Sequence, residues 1–235
     1  MKIGILICGH VRKEIVGKYG EYGGFFRRFL GEESFDFAEY MVVDNAFPET
    51  VDTCDAYVLS GSSHGAYEDH IFIPRLEDFI RNANARRVPL IGICFGHQII
   101  AQALGGKVEK FSGGWGVGVH EYSMDLGMGP KIMSLNAMHQ DQVVVKPAGA
   151  RVIGTSGFCK NAALAYGDHI VTFQPHPEFD APFMRDLIHY RRGTSFGESF
   201  ADAALQGLVR PTSNSEIAHY VRLFLKNVCE RRAAA

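Results

Sequence analysis

One cysteine in this chain sits in the surroundings that a sulfur nucleophile needs. From Pro89 to Leu104 an apolar run ends at Cys94, and a helical pattern carrying Ile99, Ile100, Ala103 and Leu104 begins at once. Gly92 and Gly96 flank the cysteine at minus two and plus two, as in an elbow where a sharp strand-to-helix turn lifts the nucleophile and tolerates only small neighbours. The dipole of a helix N-terminus favours the thiolate, which is the reactive species. A lone cysteine on a buried strand is usually an inert core side chain. Two glycines in register, and Gln98 one turn further on, set Cys94 apart.

A cysteine nucleophile also needs a base close by and a group that holds the base's ring. The segment His169–Phe179 offers both, as a strand pattern running into Gln174-Pro-His-Pro-Glu178. Residues two apart in an extended chain point to the same side. Glu178 can therefore orient one nitrogen of His176 while the other faces Cys94. Pro175 and Pro177 restrict the backbone on both sides of the histidine. Alone, a His-Pro-Glu tripeptide is equally a solvated turn, and its weight comes from occurring with the elbow.

Together, Gly92-Ile-Cys-Phe-Gly-His-Gln98 and His176-Pro-Glu178, about 80 residues later, resemble the two motifs of the class I glutamine amidotransferases. The resemblance runs from the first strand through the second motif. It implies a single α/β domain of flavodoxin-like type and a triad of Cys94, His176 and Glu178. That triad would attack the γ-amide of glutamine, form a γ-glutamyl thioester, release ammonia and yield glutamate with water. No cofactor is implied. An oxyanion hole of two backbone amides, each worth roughly 3–4 kcal/mol, falls by resemblance on Gly61 and Phe95. Gln98 resembles the glutamine that contacts the substrate's amino acid end. Met138-His-Gln-Asp141 resembles a segment of the GMP synthase amidotransferase domain whose backbone at the positions of Gln140 and Asp141 meets the substrate. The sequence departs from the family at one loop: Ser60-Gly-Ser-Ser63 stands where amidotransferase domains usually carry Gly-Gly-Pro. The Gly-Ser form resembles free-standing members, some of which cleave γ-glutamyl peptides.

Other polar residues carry weaker signals. His139 reads equally as a strand-end structural residue and as a catalytic one, and Trp115 as a pocket wall or a loop anchor. Cys8-Gly-His10 lacks an elbow and reads as core and loop. Tyr19–Phe26 is glycine-rich but has neither the Gly-x-Gly-x-x-Gly order nor the Walker lysine, so no nucleotide site is expected. His64, His70, His120, His169, His189 and His219 show no ligand spacing, and no metal site is expected.

The elements that must position these residues alternate between strand and helix patterns. Strand-like runs cover Lys2–Cys8, Ala38–Val43, Ala56–Leu59 and Val88–Cys94, and Ile71–Arg87 is an amphipathic crossover helix, which predicts a mostly parallel sheet flanked by helices. Val117–Tyr122, Lys131–Leu135 and Gln142–Lys146, separated by Gly and Pro turns, predict an antiparallel extension. Asn161–Ala165 and His169–Phe173 flank Tyr166-Gly-Asp168 as a hairpin. A core of about 1–190 is followed by a helical C-terminal extension over 181–235, broken at Gly193, Gly197 and Arg210-Pro211 and striped by Ile217, Val221, Leu225 and Val228. The glycine excess falls in 17–31 and 105–129, which read as mobile loops.

Composition bounds the function. With 46% hydrophobic and 21% charged residues the chain is an ordinary globular sequence, so disorder, collagen and coiled coil are excluded. A net charge of −2 gives no footprint for nucleic acid or an anionic membrane. The longest apolar run, Ala162–Tyr166, is far short of the roughly 20 residues that a bilayer span needs. Five dispersed cysteines without a Cys-x-x-Cys pair suggest neither disulfides nor zinc and point to a reducing cytoplasm. Three readings remain. They are a free-standing hydrolase of glutamine or γ-glutamyl compounds, a glutaminase subunit feeding ammonia to a separate synthase, and a non-catalytic regulatory relative.

Overall fold

In the computed structural model, which describes residues 1–234, the chain begins with β1 (Lys2–Leu6), α1 (Lys13–Tyr19), α2 (Tyr22–Leu30), β2 (Asp36–Tyr40) and β3 (Ala56–Leu59). It continues with α3 (Phe72–Ala85), β4 (Leu90–Ile93), α4 (Phe95–Ala103), β5 (Lys107–Lys110), β6 (Gly116–Asp125), β7 (Pro130–His139) and β8 (Asp141–Val145). It ends with β9 (Ala150–Thr155), β10 (Ala163–Tyr166), β11 (Ile170–Phe173), α5 (Ala181–Arg191), α6 (Glu198–Gly207) and α7 (Asn214–Ala233). Nine strands form one sheet in the order β2-β1-β3-β4-β11-β10-β9-β6-β7, and β5 pairs with β8 apart from it. The strands from β2 to β11 run parallel, and those from β10 to β7 pair antiparallel. This is the expected α/β sheet with an antiparallel extension.

Period-two alternation decides which face each residue serves. Ile3, Ile5, Val58, Ile91, Ile93 and Val171 bury one face against α2 and α7. Tyr57, Leu59, Leu90 and Ile170 bury the other against α3 and α4. Because both faces are covered, β3, β4 and β11 are buried at every residue, as parallel strands usually are. The α7 stripe of Ile217, Val221, Leu225 and Val228 is buried as its spacing predicts. The β10–β11 hairpin turns at Gly167, whose φ of +55° suits glycine.

Two expectations are corrected. Residues 17–31 are not mobile loops, because most of the segment folds into α1 and α2. A helical glycine costs roughly 1 kcal/mol, whereas a buried Phe or Leu gains about 1.5–3 kcal/mol, and α2 buries Phe25, Phe26, Phe29 and Leu30. In 105–129 the glycines Gly116 and Gly118 lie inside β6. The strand read over Ala38–Val43 begins earlier and stops at Tyr40, and Val42–Asp44 turns as a 3₁₀ helix.

Candidate active site

The ends of β3, β4 and β11 lie side by side in the sheet, and the three loops that leave them meet at Cys94. The Cys94 amide donates to the Phe173 carbonyl (2.8 Å), and the Gly96 amide donates to that of Ser60 (3.1 Å), so the elbow is tied to both neighbours. Cys94 has φ +53° and ψ −102°, a strained backbone for a side-chain-bearing residue. Its flanking glycines are sterically required. A Cβ on Gly92 would lie 2.6 Å from the Gly96 carbonyl oxygen, and one on Gly96 would strike the carbonyl of Leu59.

His176 and Glu178 are both buried, with His176 Nδ1 2.8 Å from Glu178 Oε1. The His176 amide donates to the Asn136 carbonyl (2.8 Å) in β7, and the ring lies parallel to Phe179 at 4.1 Å. Asn136 Nδ2 in turn holds the Phe179 carbonyl (2.9 Å). The ring is thus fixed by backbone, stacking and carboxylate together. Burial alone would lower its pKa, but the Glu178 carboxylate and the nearby Cys94 sulfur outweigh it and push it up to about 10. Cys8 and Cys159, by contrast, are pushed up to about 12, chiefly by burial, and remain thiols.

Gly61 stands against the same pair, since a Cβ there would lie 3.1 Å from His176 Cε1 and 3.8 Å from Cys94 Cβ. Phe95 opens α4, and neither its amide nor that of Gly61 donates to a backbone carbonyl among the described residues. Beside Cys94 opens a pocket whose far wall includes Gln98, Trp115, Gln140 and Asp141. Gln98 Nε2 donates to the Asp141 carbonyl (2.9 Å) and to Gln174 Oε1 (3.1 Å). Asp141 accepts from the Tyr67 hydroxyl (3.2 Å), and burial raises its carboxyl above the usual range. The Gln140 side chain turns to the Phe111 carbonyl (3.4 Å). The sequence-derived site residues therefore share one region, Cys94, Gly61, His176 and Glu178 at its centre and the others on its wall.

The two open readings acquire geometry. His139 is buried, burial pushes its pKa down to about 3, and Nδ1 donates to the Asp141 carbonyl (3.2 Å). It is a neutral brace for the β7–β8 corner. Trp115 does both things asked of it: it lines the pocket and is anchored edge-on to Phe196 at 5.8 Å. Sequence reasoning missed Arg191, whose guanidinium lies 5.1 Å from the Trp115 ring centroid and lines the pocket with Cys94. At the end of α5 its only signal is a helix C-terminal cation, which any solvated arginine gives equally.

The chain is similar to known proteins. Residues 34–185 match the family model for glutamine amidotransferase class-I. Gamma-glutamyl peptidase 3 of Arabidopsis thaliana is 29% identical over 227 residues, covering 89% of this chain and 88% of that protein. A glutamine-hydrolyzing GMP synthase subunit of Sulfolobus acidocaldarius is 32% identical over 130 residues, covering 53% of this chain and 67% of that protein. A solved glutamine amido transferase from Methylobacillus flagellatus superposes with a TM-score of 0.72 at 22% identity, covering 100% and 94% of the two chains. The chain belongs to the class I glutamine amidotransferase family.

Proposed function

We propose that this protein is a free-standing cysteine amidohydrolase that cleaves a γ-glutamyl amide through a thioester on Cys94. The observation that carries the reading is the buried His176, held by Glu178 at 2.8 Å and standing with Cys94 against the same Gly61. In the reaction the Cys94 sulfur attacks the γ-carbonyl carbon, and the carbonyl oxygen takes the negative charge facing the Gly61 and Phe95 amides. His176 passes its proton to the departing nitrogen, which leaves as ammonia or an amine. Water then attacks the thioester carbonyl carbon while His176 takes one of its protons, and the new C–O bond is followed by C–S cleavage, which releases glutamate and returns the sulfur and the proton to the Cys94–His176 pair. Gln98, Gln140 and Asp141 form the wall against which the glutamyl end rests.

Four observations favour a γ-glutamyl compound larger than glutamine. Ser60-Gly-Ser-Ser63 replaces the Gly-Gly-Pro of synthase-coupled domains, and a gamma-glutamyl peptidase aligns over nearly the whole chain. The pocket is open, and Arg191 adds a cation suited to a carboxylate beyond the scissile bond. The likeness to a GMP synthase component supports a second reading, a glutaminase subunit that hands ammonia to a separate synthase. Incubating the pure protein with glutamine, glutathione and γ-glutamyl dipeptides, and assaying glutamate with ammonia or amine, separates the two. Hydrolysis without any partner is the expected result. Silence on every substrate, relieved by an added synthase, would overturn the free-standing reading in favour of the coupled one.

A further inference from the structure

Outside the cysteine site, three side chains that sequence spacing leaves unconnected come together. His64, Glu68 and His70 each offer a ligand atom, and these atoms lie within 4.8 Å of one another, the one group of this kind among the described residues. His64 Nδ1 is 3.5 Å and His70 Nε2 2.8 Å from the same carboxylate oxygen, Glu68 Oε2. Zinc–nitrogen and zinc–oxygen bonds of ~2.0–2.2 Å at tetrahedral angles put donor atoms roughly 3.3 Å apart, so the two measured separations bracket what one ion requires. The histidine rings pack against each other at 4.0 Å between centroids, and both lie about 6 Å from the ring of Phe72, the buried first residue of α3. The cluster is therefore braced by the fold and not merely by a loop.

From this geometry we propose that His64, Glu68 and His70 bind a divalent transition metal ion of the zinc type at the mouth of the pocket. Two imidazoles with one carboxylate suit zinc, nickel or cobalt, whereas calcium and magnesium demand a shell of oxygens. Three protein ligands leave a coordination position open, which marks an exchangeable site and not a closed structural one. His64 and Glu68 also line the pocket that holds Cys94, so the ion stands at its wall. The proposal goes against the expectation of no metal site drawn from the sequence, where these histidines show no ligand spacing. Their spacing of six residues matches no helical or zinc-finger period, and only the turn over Ala66 and Tyr67, closed by the Glu68 amide on the Gly65 carbonyl (3.1 Å), folds them onto Glu68.

The test uses the full chain carrying Cys94→Ser, which keeps the reactive sulfur from capturing the ion, with the unaltered protein in parallel. Zn²⁺ is titrated in chelator-treated buffer against a chromophoric competitor, and Co²⁺ absorption reports the ligand type. One equivalent bound in both proteins is expected, with no sulfur-to-cobalt charge-transfer band in the Cys94→Ser protein. His64→Ala and His70→Ala should each weaken binding about tenfold or more, and Glu68→Gln should weaken it less. Thermal melting of the metal-free variants guards against misfolding, and because the three side chains are partly exposed their apo stability should be unchanged. Absence of binding at micromolar protein, or binding that survives loss of either histidine, would overturn the site. So would binding that disappears with Cys94→Ser and persists in His70→Ala, since the ion would then sit on the nucleophile. None of these outcomes depends on hydrolytic activity.

Discussion

The two halves of the sheet are built by different rules and do different work. The parallel half, from β2 to β11, is covered on both faces, and the loops leaving β3, β4 and β11 bring Gly61, Cys94 and His176 together. The antiparallel half ends in the β7–β8 corner, whose Gln140 and Asp141 wall the pocket. Open α/β sheets place sites beyond the carboxyl ends of their parallel strands, and such a frame fixes reacting atoms within narrow limits. The antiparallel half, joined by short turns, is the part that can vary to accept a different substrate without disturbing the chemistry. On the proposed function the reacting groups come from the parallel half, while the pocket wall combines Gln98 of α4 with the β7–β8 corner; Asn136 links the two halves by receiving the His176 amide.

Variants can break that division of labour, and those in the parallel half should have the largest effects. Cys94→Ala should lower kcat by about 10³-fold or more with KM little changed, and a diazo-ketone analogue of glutamine should add one mass label at Cys94 only. Labelling at Cys8 or Cys159 with Cys94 intact would remove it as the nucleophile. His176→Ala should be nearly as severe, and Glu178→Gln should retain reduced turnover because a neutral amide still orients the ring. Both losses should appear in kcat.

The charge on His176 gives this prediction a pH signature. Its folded pKa is raised from an unfolded value near 6.5 to about 10. The ion pair with Glu178 therefore adds stability that is fully present below about pH 6.5 and is lost as pH rises through about 10. Turnover should fall on the same alkaline limb, as the imidazolium that protonates the leaving group disappears. In Glu178→Gln one of the two neighbours that raise the pKa loses its charge, so both limbs should move to lower pH. Unchanged limbs would assign the carboxylate's role to another residue.

Gly61→Ala is a milder probe of the same half. Its added methyl would press on His176 at 3.1 Å, and kcat should drop roughly 10- to 100-fold while the fold persists. The antiparallel side is probed by Arg191→Ala, which should raise KM for a carboxylate-bearing γ-glutamyl peptide by about tenfold. Plain glutamine should be affected less. A kcat loss equal to that of Gly61→Ala would place Arg191 with the chemistry instead.

How legible each half was in the sequence follows from the same contrast. Parallel strands buried on both faces are continuous apolar runs, so β3 and β4 were recognisable, and the glycines at 92 and 96 declared the elbow between strand and helix. The β10–β11 hairpin announced itself through Tyr166-Gly-Asp168. Unread were β5 and β9, since Lys107–Lys110 is mostly exposed and Arg151 and Thr155 interrupt any apolar signal in β9. Helix α2 was hidden by glycines that its tertiary contacts override. The contact of Arg191 with Trp115 depends on how distant segments fold over one another, and that of His64 with His70 on the shape of a short turn that no residue period declares.

The left-handed backbone at Cys94 sets catalytic fitness against durability. A side-chain-bearing residue in such a conformation stores on the order of 1–3 kcal/mol, whereas glycine adopts it freely at a cost of about 0.5–1 kcal/mol in lost chain freedom. The thiol borders the open pocket, so its removal leaves no sealed void. Cys94→Gly should therefore melt higher than the natural protein by a few degrees while hydrolysing nothing. On the proposed function, the backbone that aims the nucleophile holds this chain below the stability its own fold would otherwise reach, and the deficit is concentrated in a single peptide unit.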